Sequence, residues 1–569
     1  MVNHGRSGRC NTCRERRVKC DEGKPSCQRC LNLGRQCGGY RKGPIKLRIK
    51  DESHKFTDAS IRQKETASHI SELDPRQSQV ELQLPRSLSQ RDTAVEFFLT
   101  YSVSLGRSLE STRGFFELIV PVLAAEPQDS PLSVVISGVA ERFLSLWLDG
   151  PSGFLSPQAS LVQALECLRT ATEHPVERSK PSTIIAALLF NFYENVAGVY
   201  RVQKVLRYHY DGAMSLLPFT DSEPSQPDIT LRSYIARFLL HAEVSFALRE
   251  GRRLSNHTLS LLGIRHLNVT PNPSSTLDEL GANIAELRSR YTSLSTQTNI
   301  PSSFPSSEQR LKDLRREARL VEADLLAWAQ SVPTHWRPLR LRSGQDFDVS
   351  IVAYEGVAEI YPSCQIASIW NAWRCYYLLL AQMFLAFPKH AISDCEHPSD
   401  DLVDAVSYQN VLRGLVNSVC YSVPFFLGNR TGASNIDDLT NPKIYLPSYH
   451  SLPRADSRRC SMDHGIIMSA DEHQRHVVAQ GAWHSMGPLS HLLTMFSDDY
   501  GWVMTSALAP GQQEWIREQF LRVATLLRLP VDEEFSDEEK VDLRLVDSGS
   551  RADRIACRLR EGMSLIGGI

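Results

Sequence analysis

Long apolar runs are missing from this 569-residue chain. The longest strongly apolar stretch, Cys375 to Phe387, is 13 residues and is interrupted by Gln382, against about 20 for a membrane-spanning helix. No membrane partner is expected. The opening MVNHGRSGRC has no apolar h-region, which argues against a secretory signal and for a reducing compartment. Sustained alternation of apolar and polar residues is also missing, so no strand is expected. Heptads are absent from residues 41–88, where Ile61, Ile70 and Leu73 are too sparse for a coiled-coil seam. A repeat of fixed period, the mark of a solenoid, is not found either.

What the chain has is strongly divided. Its net charge of -2 hides a first 50 residues with 14 Lys or Arg against three acids, a net +11. The remaining 49 basic and 62 acidic residues sum to -13. A nucleic-acid-facing head on a neutral-to-acidic body follows from that asymmetry. At this length one hydrophobic core does not suffice. Three segments are read: a cysteine-rich domain at 1–40, a basic-to-polar linker at 41–88, and a body at 89–569. Stretches such as 91–105, 160–174, 181–200, 231–250, 308–330, 366–387, 402–420, 473–493 and 512–529 carry apolar residues three and four apart, which predicts an all-α body. Polar loops are expected at 296–308 and 428–463.

The head holds six cysteines in two matched sets. Cys10, Cys13 and Cys20 repeat as Cys27, Cys30 and Cys37, each set spaced Cys-x2-Cys-x6-Cys. In a reducing compartment, short regular spacing favours metal over disulfides. Zinc takes four ligands in a tetrahedron, so two ions need eight bonds. Six sulfurs supply eight bonds if two of them bind twice, and the first cysteine of each half, Cys10 and Cys27, is the natural bridge. So polar a segment has no hydrophobic core, so the metals would supply its folding energy. Two zinc ions and six thiolates sum to -2, a core that repels phosphate. Arg14, Arg16, Arg17 and Lys19, read as lying on a helix between the second and third cysteines, offset that charge on one side.

In these six cysteines, and in Pro25 two residues before the fourth, the sequence resembles the fungal binuclear zinc cluster transcription factors. The resemblance covers about the first 40 residues. It implies that Cys10 and Cys27 bridge, that Cys13 and Cys20 complete one zinc site, and that Cys30 and Cys37 complete the other. It further implies that the basic segment enters the DNA major groove at CGG-type triplets, with Arg17 reading bases and Arg14, Arg16 and Lys19 on phosphates. Double-stranded DNA, the transcription machinery and a homodimer through the helical body are the partners it brings, and the nucleus is the location. The body, with HYDGAMSLL at 209–217, resembles the fungal-specific regulatory domain found behind such clusters.

Other motifs are given plainer readings. Asp400, Asp401 and Asp404 form the Asp-Asp-x-x-Asp pattern with which prenyl diphosphate and terpene synthases hold magnesium, which is the competing enzyme reading. No second such motif follows, and acids at a helix start favour the helix dipole. His473 and His476 lack the glutamate and spacing of a zinc-protease helix and are read as a polar helix face. Cys167, Cys364, Cys375, Cys395, Cys420, Cys460 and Cys557 are read as buried structural thiols. The acid-rich 530–548, with interleaved Phe535, Val541, Leu543 and Leu545, has the composition of an activation segment and equally of an acidic surface loop.

Overall fold

The computed structural model describes residues 10–16, 18–21, 26–38, 90–111, 114–201, 207–221, 226–262, 270–296, 307–387, 398–453, 468–498, 501–530 and 551–562. It divides into two compact units, Met1–Leu84 and Pro85–Ile569. The linker read at 41–88 and nearly all of the acidic segment at 530–548 lie outside the described residues.

The first unit carries two short helices, α1 (Asn11–Glu15) and α2 (Gln28–Leu31). Helices of four or five residues are not stable alone, because nucleation costs more than so few bonds return. The buried apolar cluster of this unit consists of Cys10, Cys13, Cys27 and Cys30, with Val18, Cys20 and Cys37 packed against it.

The second unit is a helical body. Its elements in order are α3 (Gln90–Phe98), α4 (Phe116–Ala125), α5 (Pro131–Asp149), α6 (Pro151–Leu155), α7 (Ala159–Glu173), α8 (Pro181–Arg201), α9 (Tyr208–Leu216), α10 (Gln226–Glu250), α11 (Asn256–Leu262), α12 (Pro273–Thr296) and α13 (Ser307–Ser331). After a small hairpin follow α14 (Cys364–Ala386), α15 (Pro398–Leu427), α16 (Ala470–Ser497), α17 (Gly501–Ser506), α18 (Gln512–Leu526) and α19 (Arg551–Gly562). Local chemistry sets several boundaries. Ser130 accepts from the Ser133 amide at 3.2 Å and Pro131 opens α5, where a missing N–H costs nothing; Gly150, at φ 79°, ends it. Ser469 and Glu472 form a reciprocal capping box that starts α16.

Helices α5 and α8 are long and apolar enough to cross a membrane by length and composition, but 56% and 89% of their apolar windows are buried within the body. Every residue of α8 except Pro181, Glu194 and Arg201 is buried, so its apolar character serves the core rather than a bilayer.

The body is largely helical, as expected, but three details differ. β1 (Leu339–Arg342) pairs antiparallel with β2 (Val357–Ile360), Leu339 opposite Ile360. Four-residue strands are too short for alternation to register, and β2 is buried on both faces. The second correction concerns His473 and His476, which are buried rather than on a polar face. His476 Nε2 accepts the Cys364 amide at 2.9 Å, and burial pushes His473 down to about 3, so a neutral imidazole pays little for burial. Third, the remaining cysteines are mixed. Cys364 and Cys420 are buried, Cys167, Cys375 and Cys557 are half-buried, and Cys395 and Cys460 lie outside the described residues.

A buried ionic node ties the hairpin to the helices. Glu359 on β2 accepts from Arg374 of α14 at 2.5 Å, from Arg340 of β1 at 3.0 Å and from the Tyr361 hydroxyl at 2.9 Å. Arg374 also donates to Asn371 and Tyr361, so its charge is fully engaged.

Candidate metal centre

The two halves of the head are built alike, residue for residue at an offset of 17. The Cys10 sulfur accepts the Cys13 amide at 3.3 Å, and the Cys27 sulfur accepts the Cys30 amide at 3.4 Å. Each first cysteine therefore caps the helix that carries the second. Beyond each helix the chain turns back through the same bond, Val18 N–H to Cys13 C=O and Arg35 N–H to Cys30 C=O, both at 3.0 Å. In the second half Gly34 makes that reversal with φ at 63°.

That reversal corrects the expected basic helix. Helix α1 ends at Glu15, Arg16 stands in a turn and Lys19 is outside any helix. The reason is geometric: seven helical residues would carry Cys20 about 10 Å along the axis from Cys13, whereas their sulfurs belong to one group whose members lie within 4.8 Å of each other. Arg16 and Lys19 are exposed; the Arg14 side chain and all of Arg17 lie outside the described residues.

The sulfurs come together as two overlapping groups. Cys10, Cys13, Cys20 and Cys27 form one, Cys10, Cys27, Cys30 and Cys37 the other, with ligand atoms within 4.8 Å throughout each group. Cys10 and Cys27 belong to both and are fully buried, while Cys20 and Cys37 are partly exposed. The Cys10 and Cys27 sulfurs are 3.7 Å apart, Cys13 and Cys27 3.7 Å, and Cys10 and Cys30 3.8 Å. Four sulfurs each about 2.3 Å from a zinc ion sit at tetrahedral edges of about 3.8 Å. The donor set and its spacing thus fit zinc. Cys13 and Cys30, which share no group here, are also 3.8 Å apart, so the four inner sulfurs pack as one knot. Burial pushes the Cys13, Cys27 and Cys30 thiols up to about 12; a divalent cation is what converts such thiols to thiolates near neutral pH.

Four residues that the sequence reading missed, Asn11, Thr12, Asp21 and Gly38, brace the centre. Asp21 accepts the amides of Gln28 and Arg29 at 2.8 and 3.0 Å, fastening the first half to the start of α2. Thr12 Oγ1 accepts the Gly38 amide at 2.8 Å and Asn11 donates to the Gly38 carbonyl at 2.9 Å, returning the end of the second half to α1. A signal was available: Asp21 and Gly38 follow the third cysteine of each half directly.

Elsewhere, Asp400, Asp401 and Asp404 fall in the first turns of α15, and their side chains lie outside the described residues. Among the described residues the two thiol groups are the clusters able to hold a metal.

Residues 9–46 match the family described as the fungal Zn(2)-Cys(6) binuclear cluster domain. Transcription factor dbaG of Emericella nidulans is 22% identical over 373 residues, covering 64% of this chain and 80% of that protein. The aspercryptin biosynthesis cluster-specific transcription regulator atnN, also of Emericella nidulans, is 64% identical over 31 residues, 5% of each chain. An uncharacterized transcriptional regulatory protein of Schizosaccharomyces pombe is 57% identical over 35 residues, 6% of each chain. No solved structure matches. The head is therefore a fungal-type Zn(2)-Cys(6) cluster domain that binds two zinc ions, and the chain that carries it is a DNA-binding transcription regulator.

Proposed function

We propose that the head reads CGG-type triplets in the nucleus, with Cys10 and Cys27 bridging two zinc ions, Cys13 and Cys20 completing one site and Cys30 and Cys37 the other. The observation that carries this reading is the membership of Cys10 and Cys27 in both four-thiol groups, which is the sharing that eight bonds from six sulfurs require. Arg17 is the base-reading residue, and Arg14, Arg16 and Lys19 bind phosphates. Exposure of Arg16 and Lys19 and the +11 charge of residues 1–50 support a phosphate-facing surface.

The proposed organisation is a 1–40 head, a 41–88 linker and an 89–569 regulatory domain that ends in an acidic segment at 530–548. An alignment of 373 residues with a transcription factor is too long to fit before residue 89, which supports a regulatory rather than catalytic body. The body is also the proposed site of homodimerisation, and with the linker free of heptads, tight binding to paired triplets depends on it. No described observation favours the diphosphate-enzyme reading.

Gel shifts of the zinc-loaded chain on single and paired triplets, at several salt concentrations, test the head. Arg17→Ala loses about 1–3 kcal/mol of discrimination against altered triplets, the scale of one bidentate base contact. Lys19→Ala weakens all sequences alike and reduces the salt slope by about one unit. Equal discrimination by wild type and Arg17→Ala refutes the base-reading role.

A further inference from the structure

The body contains a feature that DNA reading does not use. A pocket of about 140 Å³, partly open to solvent, lies between α10, α14 and α16, and Ser245, Ser368, Ala372 and Cys375 in its lining are only half-buried. Small side chains keep it open. Ser245 faces it from α10, and Ser368, Ala372 and Cys375 face it from α14 at positions i, i+4 and i+7, a single stripe of that helix. On the third side are Gly487 and Pro488 of α16. A proline inside a helix lacks the N–H that would bond to the carbonyl four residues back and pushes that turn outward, so the wall is thin where the cavity lies.

The lining is chemically one-sided. Leu248, Leu379 and the Tyr376 ring give it an apolar surface, and Ser245, Ser368 and Ser490 give it hydroxyl groups. Two of its ionisable groups are engaged, His241 Nδ1 with Asp278 at 2.8 Å and Arg249 Nε with the Ser245 carbonyl at 3.2 Å, and His491 of α16 lines it as well. Burial raises the Cys375 thiol to about 12, so that side chain is neutral as well. A charged guest would lose part of its hydration against the apolar wall, which an uncharged one would not. Cavities of about 150 Å³ accept a molecule the size of benzene.

We propose that this cavity is a binding site for a compact, uncharged, mainly apolar small molecule about one six-membered ring in size, bearing a hydroxyl or carbonyl that hydrogen-bonds to the serine hydroxyls. The site belongs to the body and stands or falls independently of how the head reads DNA. Such a ligand binds the native body and not the unfolded chain, so it raises the melting temperature with concentration.

The test uses the zinc-loaded full chain and benzyl alcohol as probe, with benzoate and benzylamine as anionic and cationic counterparts. Titration calorimetry is expected to give one saturable site for benzyl alcohol with a dissociation constant of millimolar order or tighter, and at least tenfold weaker binding of both charged probes. Ala372→Leu and Ser245→Leu fill the cavity from different helices, and either one, shown to be folded by circular dichroism, is expected to abolish binding. Absence of saturable benzyl alcohol binding overturns the proposal. Benzoate or benzylamine binding as tightly as the alcohol, or unchanged binding in a folded filled variant, overturns it too.

Discussion

Replacing Cys10 should cost the zinc centre about twice what replacing Cys20 costs. Cys10 belongs to both four-thiol groups and Cys20 to one, so under the proposed bridging Cys10→Ala removes two zinc–sulfur bonds and Cys20→Ala removes one. A structural zinc contributes roughly 10–16 kcal/mol of apparent binding free energy at neutral pH. Shared over four ligands, that is about 2.5–4 kcal/mol per bond, hence about 2.5–4 for Cys20→Ala and about 5–8 for Cys10→Ala. The head has little to fall back on, since its buried apolar cluster is the cysteines themselves, and both variants are expected to unfold it once zinc leaves. The assay is zinc content per chain across graded chelator concentrations, read beside the far-ultraviolet circular dichroism of a 1–50 peptide. Wild type should hold two ions to the lowest free zinc, Cys20→Ala should lose zinc earlier, and Cys10→Ala and Cys27→Ala earliest. Equal midpoints for Cys10→Ala and Cys20→Ala would refute the sharing. Greater damage from Cys13→Ala and Cys30→Ala would move the bridge to the other close pair, whose sulfurs are 3.8 Å apart.

Zinc uptake should release close to six protons per head at pH 7, because the six thiols are protonated there in the metal-free, unfolded head and are thiolates once bound. Metal binding holds the same groups as thiolates far below their unfolded value of about 8.5, so their contribution is present above that value and is lost as pH falls; zinc affinity that is flat between pH 8 and 6 would contradict this. Asp400, Asp401 and Asp404 changed together to Asn should leave reporter-gene control intact in a folded body, and magnesium-dependent turnover of a prenyl diphosphate that the change abolishes would reverse the non-enzyme reading. In the body, Glu359→Ala strips Arg374 of its buried counter-charge and should destabilise by about 3–5 kcal/mol in denaturant titrations; a loss below about 1 kcal/mol would mean that the node carries no net stability.

The metal centre was legible because coordination chemistry is written in spacing. Cys-x2-Cys places two sulfurs on one turn, and repeating it at an offset of 17 brings both halves to one core. The arc from Cys13 to Cys20 was not legible in the same way. Its basic residues scan as helix, and only closure onto the metal group forces the turn after Glu15. Helix periodicity likewise located α8 and α14, whose apolar faces span several turns, but it passed over β1 and β2, too short to have a period. His473 and His476 were misread because a histidine is polar by type and apolar in cost once neutral and hydrogen-bonded. The cavity against α14 was invisible for a further reason: Ser368, Ala372 and Cys375 are ordinary helix residues until two other helices decline to fill the space they leave.

The two halves of the head are copies in backbone and in thiol geometry, yet the offset of 17 sets unlike side chains against each other. Arg14, Arg16, Arg17 and Lys19 have Leu31, Leu33, Gly34 and Gln36 as their counterparts, and Leu31 and Leu33 are about half exposed. A core that looks the same after a half-turn would, with matched charge, settle on a duplex in either direction. With Arg14, Arg16, Arg17 and Lys19 clustered on one half and Arg29 and Arg35 at unmatched positions on the other, it has a front and a back. In the proposed triplet-reading role the head would therefore sit on its site with a fixed polarity, so a pair of heads in the proposed dimer would tell inverted from direct repeats.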